Sequence, residues 1–289
     1  MKILFFGLVC IKKGVGMSLI DVNLDKCIKC GLCVKVCPLG IIETGADCFP
    51  ESFWEGCIAC GHCVAVCPTA AIDNKLAPLK NQKPRDKAND ITSKQAEEFL
   101  RSRRSIRWFK DKTPSNEEIE KVLDIARYAP TGKNTQGISY LVVKDKKILS
   151  EITRVIVDFM EEFTKKLEDP SAIIQAQNRI EKYRKHKKDI VLLGAPVLIL
   201  ALGNKNNRFK KNSSDLAMLY AQLYAPTIGL GTCWAGIFEA AASSGYEPLM
   251  KMLNISDEKE ITAATMLGYP QYEHRRLVDR NPAVIEWLK

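Results

Sequence analysis

No apolar run in this sequence reaches the roughly 18 to 20 residues needed to cross a bilayer, so no membrane span is expected. No G-x-G-x-x-G opens a strand–helix unit, which argues against a dedicated dinucleotide-binding domain. Nucleic acid finds no support either: the lysine-rich stretches 182–188 and 205–211 read as solvated surface. What is present is ordinary for a soluble chain, with 46% hydrophobic and 27% charged residues. A length of 289 residues suits about two domains in the cytoplasm. The net charge of +9 is uneven. Residues 17–80 carry about −2 and residues 81–289 carry +8, the first sixteen adding +3. The basic part could attract a phosphate-bearing cofactor, an anionic substrate or an acidic partner. Residues 1–16 read as a mis-started leader, with translation beginning at Met17, or else as a short signal-like segment.

Eight of the eleven cysteines fall into two matching groups. Residues 27–42 read CIKCGLCVKVCPLGII and residues 57–72 read CIACGHCVAVCPTAAI, identical at ten of sixteen positions. A segment with so few large apolar residues cannot build much of a core and needs a staple. Each repeat is C-x2-C-x2-C-x3-C-P, with Cys27, Cys30, Cys33 and Cys37 in the first and Cys57, Cys60, Cys63 and Cys67 in the second. Zinc sites instead place two cysteine pairs a dozen or more residues apart. The run resembles the two-cluster bacterial ferredoxins over residues 18–75, in which the fourth cysteine ligates the other 4Fe–4S cluster. That resemblance assigns Cys27, Cys30, Cys33 and Cys67 to one cluster and Cys57, Cys60, Cys63 and Cys37 to the other. Cys48 reads as a spare thiol, Cys233 as a small buried hydrophobe, and His62 and His186 as surface histidines.

The polar stretch from Asn74 to Asp90 reads as a linker, giving domains at 17–80 and 91–289 with 81–90 between them. A helix is expected from Thr92, which forms a capping-box pattern with Gln95, and a second near Ser115, with Glu118 three residues on. The apolar face of the second is Ile119, Val122, Leu123 and Ala126. Short strands are expected at 139–143, 196–202 and 261–267. The segment 215–228 is apolar nearly all round and should be buried in a core or a subunit interface. Alternating helices and strands point to an α+β or α/β domain.

Three segments of this second domain carry a joint signal: Arg103-Arg104-Ser105-Ile106-Arg107-Trp108-Phe109, Ala129-Pro130-Thr131-Gly132-Lys133-Asn134-Thr135-Gln136, and the Gly-rich run Gly229 to Gly236. Arginine forks suit a phosphate dianion and the carbonyl edge of a flavin ring. A Gly-rich strand entry offers backbone N–H groups, and an Asn with a hydroxyl can bind a ribityl chain. With these motifs, residues 91–289 resemble the nitroreductase family of FMN flavoproteins. The resemblance implies an α+β fold and an intertwined homodimer with two FMN sites at its interface. It assigns Arg103 and Ser105 to the phosphate and ribityl part and Arg107 to the N1/O2 edge, with Arg104 a further cofactor-binding candidate. Pro130, Thr131 and Asn134 would come from the partner chain, with Gln136 a further cofactor-binding candidate. Trp234, Ala235 and Gly236 would supply backbone contacts, and Arg276 and Arg280 would close on the phosphate, with His274 an extra candidate. Gly137 departs from the proline the family often has there, which loosens the loop assignment.

The two halves together resemble the ferredoxin–nitroreductase fusions of anaerobic microbes. Clusters move one electron each and a flavin takes two. The expected function is an iron–sulfur flavoprotein oxidoreductase passing electrons from a low-potential donor, such as an external ferredoxin, through two 4Fe–4S clusters to FMN and then to a nitro, quinone or similar small molecule. NAD(P)H remains an alternative donor, because sites of this family bind nicotinamide directly over the flavin. The competing readings are an electron-transfer adaptor serving a partner protein and a flavin dehydrogenase running toward ferredoxin.

Overall fold

The structure is a computed structural model and describes residues 18–52 and 56–288. The leader, Cys10 and the start at Met17 lie outside the described residues. The chain divides into two compact units, parting between Asp90 and Ile91.

Unit one repeats in structure what it repeats in sequence. It contains β1 (Ile20–Val22), α1 (Leu32–Lys35), β2 (Ile42–Thr44), β3 (Pro50–Ser52), α2 (His62–Ala65) and β4 (Ile72–Asn74). β1 pairs antiparallel with β4, and β2 with β3. Gly31 and Gly61 cap the two short helices at φ 68° and 72°, where only glycine is unstrained. Lys29 and Ala59 also take positive φ, at 55° and 53°, so both cysteine loops bend the same way. The core is small: Ile20, Ile41, Ile42, Val64 and Ile72, completed by Cys63.

The stretch 74–82, read from sequence as the start of a linker, folds back onto unit one. Asn74 ends β4, Asp73 Oδ1 accepts from Leu79 N–H at 2.7 Å, and Gln82 donates to the Ala77 carbonyl at 2.9 Å. Its polar composition serves these local hydrogen bonds rather than solvation alone.

Unit two contains α3 (Ser93–Ser102), α4 (Asn116–Ala126), β5 (Ile138–Val143), α5 (Lys146–Thr164), α6 (Pro170–His186), β6 (Val197–Asn204), α7 (Lys210–Tyr224), β7 (Gly231–Trp234), α8 (Gly236–Ser243), α9 (Glu247–Leu253) and β8 (Lys259–Gly268). Both expected capping boxes form, at Thr92 with Gln95 and at Ser115 with Glu118. The sheet runs β5-β6-β8-β7, antiparallel throughout. That decides for α+β over an open parallel α/β sheet.

β6 shows why an unbroken apolar run formed a strand. Leu198, Leu200 and Leu202 join the core built with α5 and α8, while Val197, Ile199 and Ala201 join that built with α4 and α7. Helices cover both faces of the sheet, so no position from Val197 to Leu202 alternates to polar.

α7 covers most of the segment 215–228 that was expected to be buried in a core or a subunit interface. It begins at Lys210 and stops at Tyr224, passing into a 3-10 turn over Ala225–Ile228 that carries Pro226. Within one chain it is not buried all round. Met218, Ala217 and Ala221 are buried, but Leu216, Leu219 and Tyr220 stay about two-fifths exposed, at 38%, 42% and 37%.

Candidate functional site

In unit one, the tight loops draw sulfur from both repeats to one place. A cavity of about 180 Å³ is lined by Cys27, Cys30 and Cys33 from the first repeat and by Cys67 from the second. Cys37, the fourth cysteine of the first repeat, is not on that lining and packs against the small core, as Cys33, Cys57 and Cys67 also do. Cys48, exposed in the β2–β3 turn with φ 67°, faces the same cavity as the four. None of the ten described cysteines is in a disulfide.

Among the described residues, no three ligand side chains converge as a single bound ion requires. Thiolates spread around a cavity suit a cubane, whose irons sit at separate corners, and do not suit tetrahedral zinc. Backbone amides already point at sulfur. Ala59 N–H donates to Cys57 at 3.3 Å, and Ala71 N–H to Cys67 at 3.2 Å. Burial pushes the Cys33 and Cys63 thiols up. Cys67 is also raised by burial, but the Ala71 amide and the Thr69 hydroxyl outweigh that and leave it below its ordinary value. The sequence reading missed Asn74, whose only signal was its place just past the second repeat.

In unit two, the Arg103–Phe109 segment runs alongside β7. Ser105 bridges to Thr232 in the parallel sense, and Ile106 N–H donates to the Thr232 carbonyl at 2.8 Å. Further along, Lys110 N–H reaches Tyr269 O at 2.9 Å and Gln271 N–H reaches Trp108 O at 3.0 Å. Gly231 permits this close approach: a Cβ there would lie 2.5 Å from Ile106 Cγ1 and 2.8 Å from Pro270 Cγ.

Extended backbone puts Arg103, Ser105 and Arg107 at every second position, and they gather near Cys233. That thiol is pushed up by burial, pulled down by the two guanidinium groups, and hydrogen-bonded by Ser105. Cys233 is therefore buried, as expected, yet it borders the cationic row.

None of Arg103, Arg104 and Arg107 has a carboxylate partner among the described residues. Arg104 Nε and Thr232 Oγ1 are buried without a hydrogen-bond partner. Unpaired guanidinium groups and orphaned donors are what an anionic ligand would complete, so this residue set fits a phosphate-bearing cofactor.

The three backbone donors expected at 234–236 are not equivalent. Ala235 N–H is committed to the Ala264 carbonyl at 3.0 Å. By strand alternation Trp234 is then in a non-hydrogen-bonded pair with Thr265, and its N–H points away from β8. Gly236 opens α8, where the first N–H groups have no helical acceptor. Glu239, another residue the sequence did not suggest, holds this corner. Its carboxylate accepts from Ala264 N–H and from the Trp234 side chain, with Lys211 Nζ 4.0 Å away. Burial raises its proton affinity above the ordinary carboxylate value.

The second motif packs on the start of α7 instead. Gly132 N–H reaches Ser213 Oγ at 3.4 Å, and a Cβ on Gly132 would meet the Phe209 ring at 2.3 Å. Lys133, Asn134 and Gln136 all take positive φ, near 50°, with Gln136 N–H held by Thr131 Oγ1 at 3.0 Å. Pro130 and Gln136 are exposed, Thr131 and Asn134 half-buried. Arg276 and Arg280 lie on an exposed tail without helix or strand, where Arg280 hydrogen-bonds to its neighbour Asp279. Val284 and Trp287 on that tail are 94% and 81% exposed.

Comparisons with known proteins fall on the same two units. The profile of the nitroreductase family matches residues 100–269, and that of a 4Fe-4S binding domain matches 20–43 and 51–73. An iodotyrosine deiodinase of Thermotoga neapolitana is 23% identical over 190 residues, 66% of this chain and 96% of the relative. A protein of Archaeoglobus fulgidus described as a putative NADH dehydrogenase/NAD(P)H nitroreductase is 25% identical over 177 residues, 61% of this chain and 85% of its own. Among solved structures, a nitroreductase with bound FMN from Desulfitobacterium hafniense superposes with a TM-score of 0.53 at 21% identity, covering 68% of this chain and all of the other.

Proposed function

The chain belongs to the nitroreductase family and carries a 4Fe-4S binding domain ahead of that region, and on this premise we propose that it is an FMN-dependent iron–sulfur oxidoreductase. In this reading, electrons pass from a low-potential donor such as ferredoxin through two 4Fe–4S clusters and FMN to a small organic acceptor of the nitro, quinone or related class. When bound, the flavin supplies two-electron chemistry and the clusters one-electron transfer. One observation carries the reading. A row of arginines without carboxylate partners lines β7 in the same chain that rings a cavity with cysteines from both repeats.

This chain's own residues then have separable tasks. Arg103, Arg104 and Ser105 bind the phosphate and ribityl part, with the orphaned Arg104 Nε as a donor in waiting. Arg107 places a fixed positive charge at the pyrimidine edge of the ring, stabilising negative charge there. The Trp234 and Gly236 N–H groups orient the ring, while Ala235 only braces the strand against β8. Pro130, Thr131, Asn134 and Gln136 are assigned to the site of the partner subunit in a homodimer, on the family resemblance; in its own chain their loop meets the start of α7 through Gly132. The exposed apolar residues of α7 and of the tail support such a dimer. Cys27, Cys30, Cys33 and Cys67 hold one cluster, and Cys57, Cys60, Cys63 and Cys37 the other.

Anaerobic purification followed by turnover with reduced ferredoxin and a nitroaromatic tests this. Iron, acid-labile sulfide and FMN in one chain, with reduced product, are the expected result. Flavin reoxidation without product would favour an adaptor serving another protein, and material lacking both iron and FMN would end the proposal.

A further inference from the structure

We propose that Asn74 is a tuning residue for the cluster of the second repeat: its side-chain amide donates to the thiolates of Cys57 and Cys63 and raises that cluster's reduction potential. The inference rests on the reading that both repeats bind clusters. Asn74 ends β4, opposite Ile20 of β1, and is 2% exposed. Its Nδ2 lies 3.7 Å from Cys63 Sγ and 3.9 Å from Cys57 Sγ.

The amide's orientation follows from its other end. Oδ1 accepts from Leu76 N–H at 2.9 Å, and only an acceptor can face a backbone N–H, so the NH2 group must face the sulfurs. A buried NH2 is costly unless its protons are used, and among the described residues the two sulfurs are its hydrogen-bond partners. Reduction adds negative charge to a cluster and its thiolates. A donor aimed at those sulfurs therefore stabilises the reduced form more than the oxidised form, which raises the potential.

The first repeat lacks this device. The residue thirty positions earlier is Thr44, which is exposed and makes no hydrogen bond to sulfur among the described residues. The other sulfur contacts are more evenly shared: Cys57 accepts from Ala59 N–H, while Cys67 accepts from Ala71 N–H and contacts the Thr69 hydroxyl. Cysteine spacing is identical in the two repeats, so the amide is a difference that spacing cannot supply.

The test uses the full chain, purified anaerobically, with Asn74→Leu as a donor-free variant and Asn74→Thr as a copy of the first repeat. Iron and acid-labile sulfide are measured first. Reduction is then titrated while the paramagnetic signals of the reduced clusters are followed. Both variants should keep the parent's iron and sulfide and show one reduction step moved to lower potential with the other unmoved. Retained iron with both steps in place would overturn the proposal. If either substitution costs iron, the unsubstituted protein decides. Heavy-nitrogen labelling of asparagine side chains should add a nitrogen coupling to the spin-echo spectrum of the reduced clusters, and its absence overturns the proposal whatever the variants do. A parent without iron would instead sink the cluster reading itself.

Discussion

Arg107 shows how little of a site's chemistry depends on distance along the chain and how much on what a side chain lacks. It is exposed, lies two residues from Ser105 and donates to that residue's carbonyl at 3.5 Å, and it has no carboxylate partner among the described residues. A charge-assisted hydrogen bond contributes roughly 1.5–3 kcal/mol, so Arg107→Ala is expected to slow reaction at the flavin by about 10- to 100-fold. Iron content should not change. Stopped-flow reoxidation checks this, and an unaltered rate would remove the residue's role. Glu239 gives a prediction with a definite sign in pH. Its carboxyl is raised, chiefly by burial, so the unfolded chain loses its proton at lower pH than the folded one. The stability this contributes is complete below the unfolded value of about 4.3 and is lost as pH rises through the folded value. Glu239→Gln keeps an acceptor for Ala264 N–H and removes the titration. Its melting temperature should therefore gain on the parent's as pH rises from about 4 to 7. Parallel melting profiles across that range would show that burial does not control this carboxyl.

At the scale of elements, β7 is the piece that sequence reading resolved least. Four residues opened by glycine carry too little periodicity to mark a strand, and Gly-Leu-Gly reads equally well as a helix stop. Its identity comes from its neighbours, β8 on one side and the Arg103–Phe109 segment on the other. Gly231→Ala should push that segment off β7, because the added methyl would collide with Ile106 and Pro270. The expected outcome is purified protein with its iron intact and its FMN largely lost, measured by the ratio of flavin to iron absorbance. Full flavin retention would mean that the strip does not form the site. The capping boxes of α3 and α4 were legible in advance because they are local, each needing only residues three apart. The tail arginines were not, since a segment without helix or strand takes its place from whatever it packs against.

At the scale of the whole molecule, α7 carries both an answer and a prediction. Its nearly all-apolar sequence suggested burial in a core or a subunit interface, and Leu216, Leu219 and Tyr220 face outward in a single chain. An apolar face of this kind on a helix that also supports the Gly132 loop suits a second copy of the chain. Leu219→Arg should yield monomer by analytical ultracentrifugation and lose FMN while keeping iron. A dimer with normal flavin content would place the interface elsewhere.

The sequence by itself determined whatever is written in short spacings. The duplicated cysteine run, the capping boxes and the arginine motif each depend on residues a few positions apart, so local stereochemistry suffices to read them. The antiparallel order β5-β6-β8-β7 was decided only in three dimensions, as were the commitment of Ala235 N–H to Ala264 and the burial of Asn74 against two sulfurs. The physical reason is common to all three. Each joins groups far apart in the chain or fixes where a polar atom finds its partner, and that is settled by which strands and loops pack together.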